Sequence, residues 1–157
     1  ENNLEKIINN IVGDAIVKEV MSLKLAVKLI ETVEEKAAEM GLAVVVAVSD
    51  ASGRPIAVHC MDGAYHGSFD VAVNKTYTST AFQMSTAKLS RLCQPGQDLY
   101  GLQFSNNGKV MILGGGEPLM VGKTMIGALG VSGGSAQEDS DLAAYGASAL
   151  KEVIKCL

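Results

Sequence analysis

The sequence has no tryptophan, and three phenylalanines and four tyrosines are all its aromatic residues. The core must therefore come from Val, Ile, Leu, Ala and Met. The three cysteines, Cys60, Cys93 and Cys156, are far apart and form no CxxC pair. An odd, scattered set argues against a disulfide framework and for a reducing, cytoplasmic setting. His59 and His66 are the only histidines, and no carboxylate cluster of ligand spacing accompanies them, which argues against a structural zinc site. There is no Lys/Arg cluster and the net charge is −4; a nucleic-acid surface would need a basic stripe, so no nucleic-acid partner is expected. No apolar run reaches the roughly 18 residues that span a bilayer. The polar, acidic start shows no export signal. Neither membrane contact nor export is expected.

What is present is a globular composition. The chain has 157 residues, 48% hydrophobic and 19% charged, a length that supports one self-sufficient core. Seventeen glycines, many in the second half, point to tight turns or close backbone approach.

Apolar periodicity divides the chain into elements. Leu4, Ile7, Ile8, Ile11, Val12, Ala15 and Ile16 form one helical stripe, an amphipathic helix over the first twenty residues that is marginal alone and needs a partner surface. A second helix follows, capped by Ser22, with Leu23, Val27, Ile30, Val33 and Ala37 as its apolar stripe and Gly41 as its stop. Residues 42–48 and 55–61 read as strands joined by the turn residues 50–54. Residues 66–83 return to a helical period, with Phe69, Val73, Thr76, Tyr77 and Thr80 on one face, and 85–92 form a short helix. Residues 102–105 and 109–113 read as a hairpin around Asn106-Asn107-Gly108. Two more strands at 118–121 and 124–131 precede a last helix from Ser135 to about Cys156. Runs of strands joined by tight turns imply antiparallel pairing, hence an α+β class rather than a doubly wound sheet.

Few residues carry a chemical signal. Gly133-Gly134-Ser135 stands between a strand and a helix start, where free N–H groups could hold an anion. Yet Ser135 and Glu138 have capping-box spacing, and Asp139 and Asp141 share the first turns of that helix. Gly114-Gly115-Gly116 is either a wide turn or a bare backbone patch on which a flat ligand could rest. His66 lies one helical turn before Asp70, which could orient its ring, and a single axial histidine suffices for haem iron. His59 shares a strand face with Ala57 and Met61. Lys75, mid-helix, is a candidate catalytic or anion-pairing amine, or a lysine that snorkels to solvent. Ser132 lacks the nucleophile-elbow context. No Ser/His/Asp or Cys/His set assembles, so no catalytic residue is named and enzyme activity is left open.

Several blocks in order carry a resemblance. They are Ala47-Val48-Ser49-Asp50 with Gly53, Met61-Asp62-Gly63, and the run from Asp70 through Val73, Asn74, Lys75 and Thr76 to Thr78. Gln94-Pro95-Gly96, Leu99-Tyr100-Gly101-Leu102 and Gly114-Gly115-Gly116-Glu117-Pro118 follow. The last is Ile126-Gly127-Ala128-Leu129-Gly130-Val131-Ser132-Gly133-Gly134 with Gln137, Glu138 and Asp139. Together they resemble the GlcG/HbpS-like family, which includes the C-terminal module of PduO-type proteins, over residues 22–157.

The resemblance implies a profilin-like fold, an antiparallel sheet of about five strands flanked by helices, and a homo-oligomer. It also implies binding of haem or a related tetrapyrrole, and association with a diol-utilisation microcompartment. In PduO-type modules a histidine near the module's N-terminus holds the iron; this sequence has no histidine before His59, so that ligand does not carry over. The cofactor-binding candidates are then His59, His66, Asp70, Lys75, Gly114, Gly115 and Gly116, with His66 the candidate iron ligand. Residues 1–21 stand apart from the family-like domain at 22–157. Their stripe resembles the encapsulation peptides of microcompartment cargo, which makes residues 2–20 a candidate docking segment for a shell or cargo partner. The alternative functions are a non-catalytic accessory protein and a small enzyme of unknown reaction. The expected location is cytoplasmic, within a microcompartment where one is present.

Overall fold

The computed structural model describes residues 3–8, 11 and 20–157. Helix α1 (Leu23–Glu39) leads to strands β1 (Val45–Asp50) and β2 (Pro55–Cys60), then to helices α2 (Ser68–Phe82) and α3 (Thr86–Leu92). After two 3-10 turns come β3 (Gly116–Val121), β4 (Thr124–Ser132) and helix α4 (Ala136–Lys155). The strands form one antiparallel sheet in the order β2-β1-β4-β3.

Helices cover both faces of this α+β sheet. β1 pairs Val46 with Val131 and Val48 with Leu129 of β4, and these side chains join α1 and α4 in the main core. The alternate residues, Val45 and Ala47, turn to the other face and meet Ala72 of α2. At Gly146, α4 comes close enough to touch Leu129 and Val33, so α1, α4 and the sheet share one packed layer.

The Ser22 hydroxyl caps α1 by accepting the Leu25 N–H at 3.1 Å. The buried side of α1 is Leu25, Ala26, Leu29, Ile30, Val33 and Ala37. Leu23, expected inside, is exposed, because the helix faces both the sheet and α4 along the 25/29/33 line.

Helix α2 departs further from its expected stripe. Phe69 is exposed, and the buried face is Ser68, Ala72, Lys75, Thr76, Thr78, Ser79 and Thr80. Small residues are needed because this helix lies directly on the backbone of β4. The threonine hydroxyls are neutralised by bonding back to their own helix: Thr76 to the Val73 carbonyl at 2.7 Å, Thr78 to Asn74 at 2.7 Å, Thr80 to Tyr77 at 2.9 Å.

The sheet has four strands rather than about five. The expected hairpin over residues 102–113 is instead a pair of 3-10 turns, Leu102–Phe104 and Asn106–Gly108, with an irregular lead-in to β3. Asn106 and Asn107 take left-handed backbone conformations. The following backbone finds its partners on a helix: Met111 N–H donates to the Thr78 hydroxyl at 2.8 Å, and Val110 is buried with Leu89 and Cys93. A side chain on α2 thus takes the hydrogen bond that a neighbouring strand would have taken.

Residues 3–8 are helical, with Leu4, Ile7 and Ile8 exposed; the remainder of the expected N-terminal helix falls mostly outside the described residues. Among the described residues no helix is long and apolar enough to cross a membrane.

Candidate functional site

The most unusual local chemistry is a buried ion pair at the junction of three elements. Lys75, from the middle of α2, is only 1% exposed. Its ammonium donates to the Val131 carbonyl of β4 at 2.6 Å and to Asp139 Oδ2, in the first turn of α4, at 2.9 Å. Asp139 Oδ1 accepts the Gly134 N–H at 2.8 Å. Burial pulls the Lys75 amine below its usual pKa, and the Asp139 carboxylate offsets part of that fall. The expectation of a lysine snorkelling to solvent is therefore overturned. Charge partners at short range let the ammonium stay inside, where an unpaired one could not.

Gly114, Gly115 and Gly116 form the cover of this pair, and all three are buried. Gly115 has φ +116, and a Cβ there would lie 2.6 Å from the Val131 carbonyl oxygen and 2.8 Å from Lys75 Nζ. The Gly115 carbonyl accepts the Val131 N–H at 2.8 Å, and Gly116 N–H donates to the Thr86 hydroxyl at 2.8 Å. Gly114 lies against Ser140 of α4. The bare backbone faces inward, so it offers no open platform to a flat ligand. Lys75, Asp139 and the three glycines make a sealed brace, with no room for a reacting molecule.

The start of α4 is likewise satisfied from within. Ser135 N–H donates to Glu138 Oε2 at 2.7 Å and Glu138 N–H to the Ser135 hydroxyl at 3.2 Å, a complete capping box. These bonds hold Glu138 below the usual carboxylate pKa. Two carboxylates already take the Gly134 and Ser135 N–H groups at this helix end, and their charge disfavours an outside anion.

The two histidines stand apart from the brace and from each other. His59 lies on edge strand β2, and its Nδ1 is 3.1 Å from Glu34 Oε1 of α1. Glu34 was not marked by the sequence, since a contact across 25 residues has no local signature. His66 is exposed in the turn before α2, with Tyr65 (74% exposed) and Phe69 (44%) on either side along the chain. Asp70 is exposed and makes no hydrogen bond to the His66 ring among the described residues. Also among the described residues, no group of three or more His, Cys, Asp or Glu side chains could hold a metal ion. Asp139, the partner of Lys75, was also missed as such: the two are 64 residues apart.

Glu117 of β3 pairs with Leu129, on the sheet face that α4 covers, and burial pushes its carboxyl above the usual value of 4.5. Between 4.5 and its raised pKa the folded chain keeps a proton that the unfolded chain has released. Stability from this group is therefore lost as pH climbs through that window. Glu117→Gln is expected to raise the urea midpoint at pH 7, with the gain vanishing below pH 4.5. An equal gain at both pH values would remove the ionisation account.

Comparison with known proteins places this geometry. A family model described as "Haem degrading protein HbpS-like" matches residues 21–148. An uncharacterised 15.0 kDa protein of the dhaT-dhaS intergenic region of Citrobacter freundii is 39% identical over 123 residues, covering 78% of this chain and 87% of that protein. The corrinoid adenosyltransferase PduO of Salmonella typhimurium is 39% identical over 109 residues, covering 69% of this chain and 32% of PduO. The chain thus spans about a third of that enzyme's length. Among solved structures, Klebsiella pneumoniae protein ORFY superposes with a TM-score of 0.81 at 36% identity, covering 83% of this chain and 90% of that one. A PduOC:heme complex superposes at 0.79 and 35% identity, covering 83% of this chain and 94% of that chain.

Proposed function

This chain belongs to the HbpS-like family, and from that membership we propose that it is a haem-binding module whose iron ligand is His66. The observation that carries the reading is the match to the PduOC:heme complex over 94% of that chain.

The residues present suit the group. A haem iron held by histidine needs one accessible imidazole nitrogen, and the porphyrin needs apolar or aromatic surface. The His66 ring is exposed, is tied to no side chain among the described residues, and is flanked by the exposed rings of Tyr65 and Phe69. The His59 ring is engaged with Glu34, a contact that holds α1 to β2. Through Lys75, α2 is anchored to Val131 and Asp139 beneath the Gly114–Gly116 segment, a rigid support that does not touch the ligand. Bound haem would supply one-electron iron chemistry; no reaction is assigned.

One copy leaves the His66 surface open. Leu92, Leu99, Tyr100 and Phe104 are also exposed, and a second copy closing over such apolar surface is the homo-oligomer we propose. The identity with PduO supports an association with diol utilisation, and the microcompartment setting is part of this proposal. The adenosyltransferase activity named for PduO is not carried over, because the chain covers 32% of that protein.

Haemin titration of the purified protein, followed by visible absorption, tests the reading. A shifted Soret band is expected at about one haem per subunit. His66→Ala is expected to lose at least tenfold in affinity, about 1.4 kcal/mol, while His59→Ala retains binding. Loss in His59→Ala alone would move the ligand to the edge strand, and no shift in any variant would end the haem reading.

A further inference from the structure

We propose that the groove between the β3–β4 turn and the last turns of α4 is the seat of this chain's own N-terminal segment, residues 2–20. The proposal is independent of haem binding. The groove encloses about 370 Å³, with Met120, Val121, Leu150 and Ile154 as its apolar walls and Lys151 and Lys155 beside them.

Three observations point to that occupant. The first is a matching apolar surface on the same chain. Leu4, Ile7, Ile8 and Ile11 are each about half exposed or more, and the sequence continues their stripe to Ile16. A helix with one apolar face fits an apolar groove by inserting residues at i, i+3, i+4 and i+7. Leu4, Ile7, Ile8 and Ile11 have that spacing.

The second is the point of attachment. Lys24 Nζ donates to the Leu157 carbonyl at 2.8 Å, which sets the start of α1 beside the C-terminal end of α4. Val20 and Met21 line a neighbouring hollow with Ile126 of β4, next to Met125, which pairs with Met120. The segment therefore leaves the domain at the end of the molecule where the groove lies. Ile16, the last residue of the stripe, stands five positions before Met21 in the sequence, so the tether between stripe and domain is short. Such a tether holds its ligand at an effective concentration of about millimolar. That favours the chain's own segment over one from a second copy.

The third is charge. Residues 2–20 carry Glu5, Asp14 and Glu19 against Lys6 and Lys18, a net −1 from three acids and two bases, and α4 brings Lys151 and Lys155 to the groove, Lys155 also pairing with Glu152 at 2.8 Å. The segment lies outside residues 21–148, which the family model matches.

Hydrogen exchange on the full chain tests this. The wild type is compared with the Ile7→Asp/Ile11→Asp double variant, whose changes lie outside the core. Amides of the β3–β4 turn and of the last turns of α4 are expected to exchange at least tenfold faster in the variant, with β1 and β4 unchanged. The reciprocal change, Met120→Asp at a half-exposed groove residue, is expected to speed exchange across residues 4–16. Equal exchange in wild type and both variants would overturn the proposal. Groove protection that falls away on dilution would overturn it too, by giving the seat to a second copy.

Discussion

Lys75→Met is expected to destabilise the folded chain by about 3–5 kcal/mol, the usual cost of leaving one buried charge without its partner. Methionine is close to lysine in length and fills most of the same space, so lost packing is a minor part of the effect. What remains is the Asp139 carboxylate, buried, with the Gly134 N–H as its one hydrogen-bond donor. The Val131 carbonyl also loses its side-chain donor. Asp139→Leu alone is expected to cost a similar amount, since it leaves the ammonium inside with a single carbonyl. The double variant Lys75→Met/Asp139→Leu is expected to recover most of the loss, because a buried pair and well-packed apolar residues of like size are often of similar stability. Equilibrium urea unfolding of the four proteins gives the coupling directly. A loss below about 1 kcal/mol in Lys75→Met, the range of an exposed pair, would mean that solvent reaches the pair.

Gly130→Ala is expected to cost about 3 kcal/mol, the upper part of the range for overpacking a filled core. The position is an ordinary strand residue, so the effect does not come from backbone conformation. A Cβ at Gly130 would overlap the Ala72 carbonyl of α2 and come within 3.0 Å of the Thr76 methyl. A backbone carbonyl in the middle of a helix cannot swing aside as a side-chain end can. The whole helix would have to lift from the sheet, and Lys75 would be drawn away from Val131 and Asp139 with it. Gly67→Ala is the matched control. It lies at the start of α2 with φ −64, and a Cβ there meets nothing within 4 Å. A change within about 0.5 kcal/mol is expected at that site. Equal urea midpoints for the two variants would show that α2 does not sit as close to β4 as the packing requires.

These two expectations concern the same junction, and its parts differ in how far the sequence reveals them. The β-rich apolar run over residues 42–48 and the turn residues 50–54 announce the first hairpin, and Ser135 with Glu138 announces the start of α4. Each of these signals sits within a few residues. The buried face of α2 is not announced in that way. The helical period puts Thr76 and Thr80 on one face with Phe69 and Val73, but only the bare backbone of Gly130 opposite explains why small hydroxylated residues, and not Phe69, belong inside. The Asn-Asn-Gly run misleads for a related reason. It does make a turn, but Thr78 on a distant helix takes the backbone bond that would have made a hairpin.

The candidate sites divide in the same way. Two histidines in 157 residues are conspicuous, and the aromatic neighbours of His66 are adjacent in the chain. Glu34 beside His59 and Asp139 beside Lys75 are brought in by packing across the sheet, and no spacing rule connects them.

The sequence by itself determined the α+β class, the ordered blocks of the HbpS-like family, most helix and strand positions, and the two histidines. These depend on local preference and on periodicity, which a linear chain displays directly. Only the tertiary structure decided that Lys75 is an internal brace, that Gly114–Gly116 faces inward over it, and that an open groove lies at the end of the molecule where the N-terminal segment joins the domain. Burial, charge pairing and groove shape arise between residues far apart in the chain, once the sheet and its helices have closed on one another.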